Sequence, residues 1–389
     1  MKSPLQDSNV RKVTEKDIIH IFSEVFHFSK KPVLSGSEFD DCAAIDLNFF
    51  VSASAGSEPS ADASAHSASL LFSTDTVHRK TDFPPSMSPW QIGWMSAAVN
   101  LSDIAAMGGK PVAFLAAIGL PADFSLDDTR ELALGIHDCV SLFGAEVIGG
   151  DTEFHDELTI TGTVIGVSGN KNIIYRKNAK PGDLLCVTGF AGSAGVALDI
   201  LLNDPAFQAA GVDINSAPPS FLKNLTEPYP RVFEGLALSK TGAVTSMMDT
   251  SDGLAVSVYE LAEMSNVGFI IDAEKIPTEE EAFRILSRVC PDSSSAKEVL
   301  LQKALYTGGD YELLFTISPN QLKLVEDVFE KLNAAGKSKS GLSFKSGYVS
   351  RFSVIGQAIG EKTVYLRTNL ENSMQLKPLL KKGYDQFDK

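Results

Sequence analysis

Seven aspartates stand where apolar segments of this chain give way to turns or glycines: Asp40-Asp41, Asp75, Asp103, Asp151, and Asp249 with Asp252. Aspartates at the ends of apolar strands converge on one edge of a sheet, where α/β proteins hold ligands. Asp103 differs in type. It follows Asn100-Leu101-Ser102 inside an apolar helical stretch with Ala97, Ala98, Val99, Ile104 and Ala105. A carboxylate there is costly unless it is paired or bound to a cation; the same residues also read as a polar stripe or a helix break. Seven clustered anions cannot all be general acids or bases, because they repel unless cations neutralise them. Magnesium suits the set: it binds oxygen, takes one or two carboxylates per ion, and completes its shell with waters and substrate phosphates. Thr74 and Ser251, beside Asp75 and Asp252, add hydroxyl or backbone oxygens.

Phosphates need glycine and a few cations. Gly149-Gly150-Asp151-Thr152 ends a strand with backbone that can approach phosphate closely. Gly189–Gly195 is a glycine-rich strand-to-helix turn, which either holds an anion at a helix N-terminus or packs helix tightly on strand. It is not a P-loop, since the lysine and following Ser/Thr are missing. Arg176, in Tyr175-Arg176-Lys177-Asn178-Ala179, reads as a phosphate contact or as a solvated basic turn.

These residues need elements to hold them. Glu15–Phe28 has the apolar spacing of a helix, and 52–69, mostly Ser and Ala, reads as a flexible insertion in a hairpin loop. Leu70–Asp75 is an expected strand. Ser88-Pro89 opens a helix that runs to Ala105 and ends at Gly108-Gly109. Further strands are expected at Val112–Gly119, at Glu146–Ile148 running into Gly149-Gly150-Asp151, and at Leu158–Val167, with a helix over Asp127–Phe143. Lys180-Pro181-Gly182-Asp183 is a turn and marks the domain boundary. Beyond it lie strands at Leu184–Thr188, Ala243–Met248, Tyr311–Ile317 and Ser353–Ile359, and helices at Val196–Leu202 and Leu254–Ser265.

The chain has 389 residues, enough for two cores, and 44% hydrophobic content. Its net charge is −15. Such a surface repels nucleic acid and anionic membranes, but it admits polyphosphate if divalent cations sit between carboxylate and phosphate. The cysteines at 42, 139, 186 and 290 form no CxxC pair, which speaks against a disulfide framework or structural zinc. The polar N-terminus and the short apolar runs make a cytoplasmic location the expectation.

Taken in order, these stretches resemble the thiamine-monophosphate kinase family. That family shares a superfamily of ATP users without a P-loop with AIR synthase, selenophosphate synthase and the hydrogenase-maturation ATPase. The resemblance runs over nearly the whole chain outside 52–69. Its most specific pieces are Ala98–Gly108, Gly149–Thr152 and Ser251–Leu254; Gly308–Phe315 and Gly383–Phe387 point to this kinase rather than its cousins. The fold expected is α+β, with two α/β-type domains: an N-terminal mixed sheet that forms a dimer barrel and a C-terminal sheet flanked by helices. Residues 1–179 would bind ATP and magnesium and dimerise, and 180–389 would complete the nucleotide and substrate site.

The resemblance also implies roles. Asp40, Asp41, Ser73, Thr74, Asp75, Asp103, Asp151, Asp249 and Asp252 look like ligands of several magnesium ions, with Asp103, Asp151 and Asp252 nearest the chemistry. Gly149, Gly150, Thr152, Arg176 and Ser251 look like nucleotide contacts; Asp82, Asp310 and Tyr384 look like substrate contacts, Tyr384 stacking on thiamine. Three departures stand out: Phe39 where the family usually has glycine before its Asp-Asp, Asp82 where it has a substrate-contacting histidine, and Gly309 where it has glutamate. The reaction implied moves the γ-phosphoryl of ATP onto thiamine monophosphate, in a homodimer. The nucleophile is then a phosphate oxygen, already deprotonated near neutral pH because a phosphomonoester's second pKa is about 6. No general base is needed. The alternatives are another ATP-dependent synthase of the superfamily and a non-catalytic, cation-binding relative.

Overall fold

A computed structural model describes residues 33–35, 40–47, 68–169, 171–336, 349–370 and 373–384. The expected helix at Glu15–Phe28, residues 52–67 of the insertion, Phe39, Gln386 and Phe387 lie outside these. Ala68 and Ser69, placed by sequence in the insertion, begin a strand.

The first sheet has six strands: β1 (Val33–Ser35), β2 (Ala43–Asp46), β3 (Ala68–His78), β4 (Lys110–Leu120), β5 (Glu146–Phe154) and β6 (Thr159–Gly169), in the order β1-β2-β3-β6-β4-β5. All pairs are antiparallel except β4 with β5. The β3–β6 ladder runs without a slip from Ala68 opposite Gly169 to His78 opposite Thr159. Side chains alternate between faces along a strand, so Leu71, Ser73, Asp75 and Val77 point one way, and Thr74 and Thr76 the other.

The first face is covered by helix α1 (Pro89–Ala106). Ser88 and Gln91 form a reciprocal capping box and Pro89 takes the first helical position, as the sequence predicted. Helix α2 (Leu126–Leu142) packs outside α1. Nearly every α1 residue from Ile92 to Ala106 is buried, including Asn100 and Ser102. Gly162 in β6 makes the approach possible: a Cβ there would lie 2.3 Å from Asn100 Nδ2 and 2.7 Å from Phe114 Cζ.

The second sheet has seven strands: β7 (Leu184–Thr188), β8 (Val244–Asp249), β9 (Gly268–Asp272), β10 (Leu313–Ile317), β11 (Phe352–Ile359), β12 (Val364–Leu370) and β13 (Ser373–Pro378). Their order is β13-β12-β9-β11-β7-β10-β8, with only β9 and β12 parallel. Among the described residues eight α-helices accompany it: α3 (Ser193–Leu201), α4 (Pro205–Ala209), α5 (Pro219–Thr226), α6 (Val232–Ser239), α7 (Leu254–Ser265), α8 (Glu280–Val289), α9 (Ser293–Tyr306) and α10 (Leu322–Gly336). One apolar core continues from beneath the first sheet to Cys186, Met247, Leu313 and Phe315 of the second. The fold is the expected α+β arrangement of two mixed sheets with helices.

Two expectations are corrected. The strand placed at Leu70–Asp75 continues to His78, so Asp75 sits mid-strand. Gly149-Gly150-Asp151-Thr152 is not the end of a strand but the middle of β5, because that backbone is carried onward by pairing with Leu115–Ile118 of β4.

Candidate active site

Asp41, Asp103 and Asp249 come from three separate elements, yet each offers a carboxylate oxygen within 4.8 Å of the others. Asp41 lies in the turn before β2, Asp103 in the last turns of α1, and Asp249 at the end of β8. The cluster therefore forms where the first domain's helix meets the second sheet.

Each carboxylate is held by partners. Arg176 donates to Asp41 from Nη2 at 2.8 Å and Nε at 3.2 Å, and from Nη1 to Glu260 of α7 at 2.9 Å. Its backbone N–H donates to Asp40 Oδ1 at 2.9 Å. Ser73 Oγ donates to Asp103, and Asp75 and Asp103 share a hydrogen bond. The Asp75 N–H donates to Asn100 Oδ1 at 3.0 Å. Asp249 accepts from Ser102 Oγ at 2.6 Å and Ser251 Oγ at 3.0 Å.

The electrostatics are those of too many anions in one place. Burial, then the charges of Asp75, Asp249 and Asp41, push the Asp103 carboxyl well above the usual carboxylate range. Burial also raises Asp75, against the hydrogen bond from Asp103. Asp249 is pushed up to about 6 by burial and Asp41, with Ser102, Arg176 and Ser251 opposing. Desolvation and like charge disfavour the ionised forms; a bound cation would reverse both effects.

The other expected residues divide into those nearby and those elsewhere. Ser73 and Ser251 are at the cluster, and Asp40 is tied to it through Arg176. Arg176 itself directs its guanidinium to Asp41 and Glu260, where the sequence left a phosphate contact or a solvated turn open. Asp252 is exposed in the turn after β8, and its carbonyl accepts the Tyr384 N–H at 2.9 Å, so the C-terminal segment docks beside this turn. Gly309, at φ +97°, donates its N–H to Ser251 O at 2.8 Å.

Thr74 faces away from the cluster: its hydroxyl donates to Gly162 O at 2.8 Å and lies 3.0 Å from Thr163 Oγ1. Asp151 is in register with Ala117, Thr161 and Thr76, hence on that same opposite face and three strands from β3. At about 4.8 Å per strand this is ~14 Å away. Asp151, Thr152 and Glu153 instead line a shallow cavity of about 150 Å³ with His155, Thr159 and Thr161. Gly149 and Gly150 lie on the same strand, every residue of which is exposed.

Two expected substrate contacts are engaged locally. Asp82 closes its own turn, accepting from His78 N–H at 2.7 Å and Thr81 Oγ1 at 2.8 Å. Asp310 accepts from Gly192 N–H at 2.6 Å and Ala194 N–H at 3.0 Å. The anion that the Gly189–Gly195 loop holds at the start of α3 is thus a carboxylate of the same chain.

Sequence reasoning missed Ser102, Asn100, Glu260 and the pair Arg231–Glu312. The polar Asn100 and Ser102, two apart in an apolar helix, were the available signal. Glu312, deeply buried, takes bonds from Thr188 Oγ1 at 2.6 Å and from Arg231 Nε at 2.5 Å.

Family models match both halves of the chain: AIR synthase related protein, N-terminal domain, over residues 40–168, and AIR synthase related protein, C-terminal domain, over 180–337. The thiamine-monophosphate kinase of Methanospirillum hungatei is 42% identical over 254 residues, 65% of this chain and 77% of that one. The Bacillus subtilis thiamine-monophosphate kinase is 31% identical over 317 residues, 80% of this chain and 85% of its own. Among solved structures, thiamine-monophosphate kinase from Stenotrophomonas maltophilia matches with a TM-score of 0.64 at 26% identity, covering 90% of this chain and 94% of that one. AaThiL complexed with AMPPCP and TMP matches with a TM-score of 0.71 over 97% of this chain and 100% of that one; at 20% identity this shows the shared fold.

Proposed function

We propose that this chain, which belongs to the thiamine-monophosphate kinase family of AIR synthase related proteins, transfers the γ-phosphoryl group of ATP to thiamine monophosphate. A bond forms between an acceptor phosphate oxygen and the γ-phosphorus, and the γ-phosphorus–bridging oxygen bond breaks, giving thiamine diphosphate and ADP. The observation that carries the reading is the convergence of Asp41, Asp103 and Asp249.

Their chemistry fits magnesium. The donors are all oxygen, and Asp103 and Asp249 are held in a state that a cation would relieve. Asp41, Asp103 and Asp249 would hold the metal, with Asp75 and Ser73 beside them. Bound there, magnesium supplies the positive charge that lets two anionic phosphates approach and that offsets the charge developing between them.

The chain's own residues do the positioning. Ser102 and Ser251 fix both oxygens of Asp249, and Arg176 locks Asp41. The acceptor oxygen needs no base, so catalysis reduces to alignment and electrostatics. Tyr384, half exposed and anchored at Asp252, stacks on the thiamine moiety.

The remaining expected residues fit a homodimer. β5 is an edge strand exposed along its length, with Val147, Ile148 and Phe154 in solvent. Bare edges of this kind ordinarily acquire a partner. A second copy joined there, closing the two sheets into a barrel, would cover the open face and let Gly149, Gly150, Asp151 and Thr152 contribute to the nucleotide site. The division at 179/180 and a cytoplasmic location complete the reading; among the described residues no helix is long and apolar enough to cross a membrane. The test is incubation with ATP, magnesium and thiamine monophosphate. Thiamine diphosphate is expected, and none should form from thiamine, whose hydroxyl would need a base. Turnover of thiamine in preference to its phosphate would refute the acceptor.

A further inference from the structure

We propose that Phe154, at the end of β5, seats in a hollow on a second copy of this chain, where the second copy's α2 meets the start of its β5. The proposal rests on the homodimer reading above and deepens it by naming the contact that sets how the two copies lie.

β5 is the last strand of the first sheet, and all nine of its residues are exposed. Its register with β4 puts Val147 beside Phe114 and Phe154 beside Leu120. Neighbours in a ladder share a face, and Phe114 is fully buried on the side of α1. Val147 and Phe154 therefore both stand on the helix side of the sheet, one near each end of β5. Phe154 is nevertheless 72% exposed. At the other end, α2 packs against β5 and leaves an open hollow of about 520 Å³, lined by His137, Ser141, Gly144, Ala145, Glu146 and Val147. Its floor is bare: a Cβ on Gly144 would meet nothing within 4 Å. One wall is the His137 imidazole, whose Nδ1 lies 3.5 Å from Ser141 Oγ.

An exposed ring at one end of an edge strand and a hollow at the other make a self-complementary surface. Twofold pairing brings residue i of one copy to residue j of the other and j to i, so ring and hollow are each used twice. Antiparallel pairing of β5 with its own copy over the full length puts residue 154 opposite residue 146. The β4–β5 register slips after Val147, so Ile148 is an extra residue in β5. With Ile148 bulged out, Phe154 of one copy falls beside Glu146 and Val147 of the other, on the helix side and over the hollow. The unpaired edge of β5 supplies the backbone groups for the pairing, and Phe154 supplies the apolar anchor. The contact lies on the opposite face of the sheet from Asp151, so it joins the copies without occupying the proposed nucleotide site.

The experiment has two parts. Sedimentation equilibrium compares wild type with Phe154→Ala. Wild type should be a dimer, and the variant should raise the dimer dissociation constant by at least about tenfold, because two rings leave two hollows. Its circular dichroism should be unchanged, since an exposed residue is lost from each copy. The second part treats Ser141→Cys/Phe154→Cys with a short bis-maleimide, in a Cys290→Ser background that leaves only the buried native cysteines. A covalent dimer is expected from the double variant. Neither single variant should cross-link; in the Phe154→Cys dimer the two thiols lie about 26 Å apart, the length of β5 at ~3.3 Å per residue. Equal dimer affinity in wild type and Phe154→Ala overturns the proposal and leaves the barrel dimer standing. Weaker association without the Ser141–Phe154 cross-link overturns the hollow as the seat of the ring. Cross-linking of Phe154→Cys alone overturns the pairing, and a monomeric wild type overturns the proposal together with the homodimer reading.

Discussion

Replacing Asp249 by asparagine should stabilise the metal-free protein while disabling it. The Asp249 carboxyl rises from 3.8 in the unfolded chain to about 6 in the fold, chiefly by burial and then by Asp41. That rise corresponds to a free energy on the order of 3 kcal/mol. Because the folded value is raised, this group's contribution to stability is full below about pH 4 and is lost as pH rises through 6. Asparagine removes the charge and keeps the bonds: its amide oxygen accepts from Ser251 Oγ, and its amide nitrogen donates to Ser102 Oγ. Some gain goes to imperfect geometry, so about 1–3 kcal/mol should remain at pH 8. At roughly 2–4 °C per kcal/mol, the melting temperature in a chelator should rise by about 2–12 °C. At pH 4 the two proteins should melt together. Added magnesium should stabilise wild type and not the variant, and turnover should fall by about 10²–10³, the usual loss of one preorganised electrostatic group. A variant less stable than wild type at pH 8 in chelator, or equally responsive to magnesium, would refute the view of this cluster as a strained cation site.

Other perturbations test other parts of the site. Asp310, raised to about 7 by burial ahead of Glu312 and Glu279, loses its stabilising contribution as pH climbs from about 4 through 7; urea midpoints of wild type should fall across pH 5–8 and those of Asp310→Asn should stay flatter, with parallel profiles counting against the reasoning. Arg231→Met strands the buried Glu312 carboxylate and should cost about 3–5 kcal/mol by chemical denaturation, whereas a loss under about 1 kcal/mol would show that the pair is dispensable. Gly383→Ala puts a methyl 2.5 Å from Asp252 O and 2.7 Å from Val256 Cγ1. It should raise KM for thiamine monophosphate several-fold and spare KM for ATP; an equal rise in both would mean that the tail does not serve the acceptor.

Much of the fold was legible in the sequence. The Ser88-Pro89 start of α1, the strand at Leu184–Thr188 and the helix at Leu254–Ser265 fall where local pattern put them. What was illegible depends on pairing between distant segments. Period-two alternation puts Thr74 and Asp75 on opposite faces, but only the slip-free β3–β6 ladder shows that the face carrying Asp75 meets α1. The glycines at 149–150 read as the end of a strand because nothing local reveals that β5 continues through them beside β4. Arg176 and Asp41 are 135 residues apart, and a basic turn gives no hint of a buried carboxylate partner.

The most direct test of the account is thiamine diphosphate formation by wild type and Asp103→Asn side by side, with ATP, magnesium and thiamine monophosphate. Asparagine fits the Asp103 site and can still accept from Ser73, so the fold should survive, which circular dichroism and the melting curve would verify. The account predicts that wild type makes thiamine diphosphate and ADP one for one and that the variant is slower by about two orders of magnitude or more. A folded Asp103→Asn enzyme turning over at the wild-type rate would contradict it.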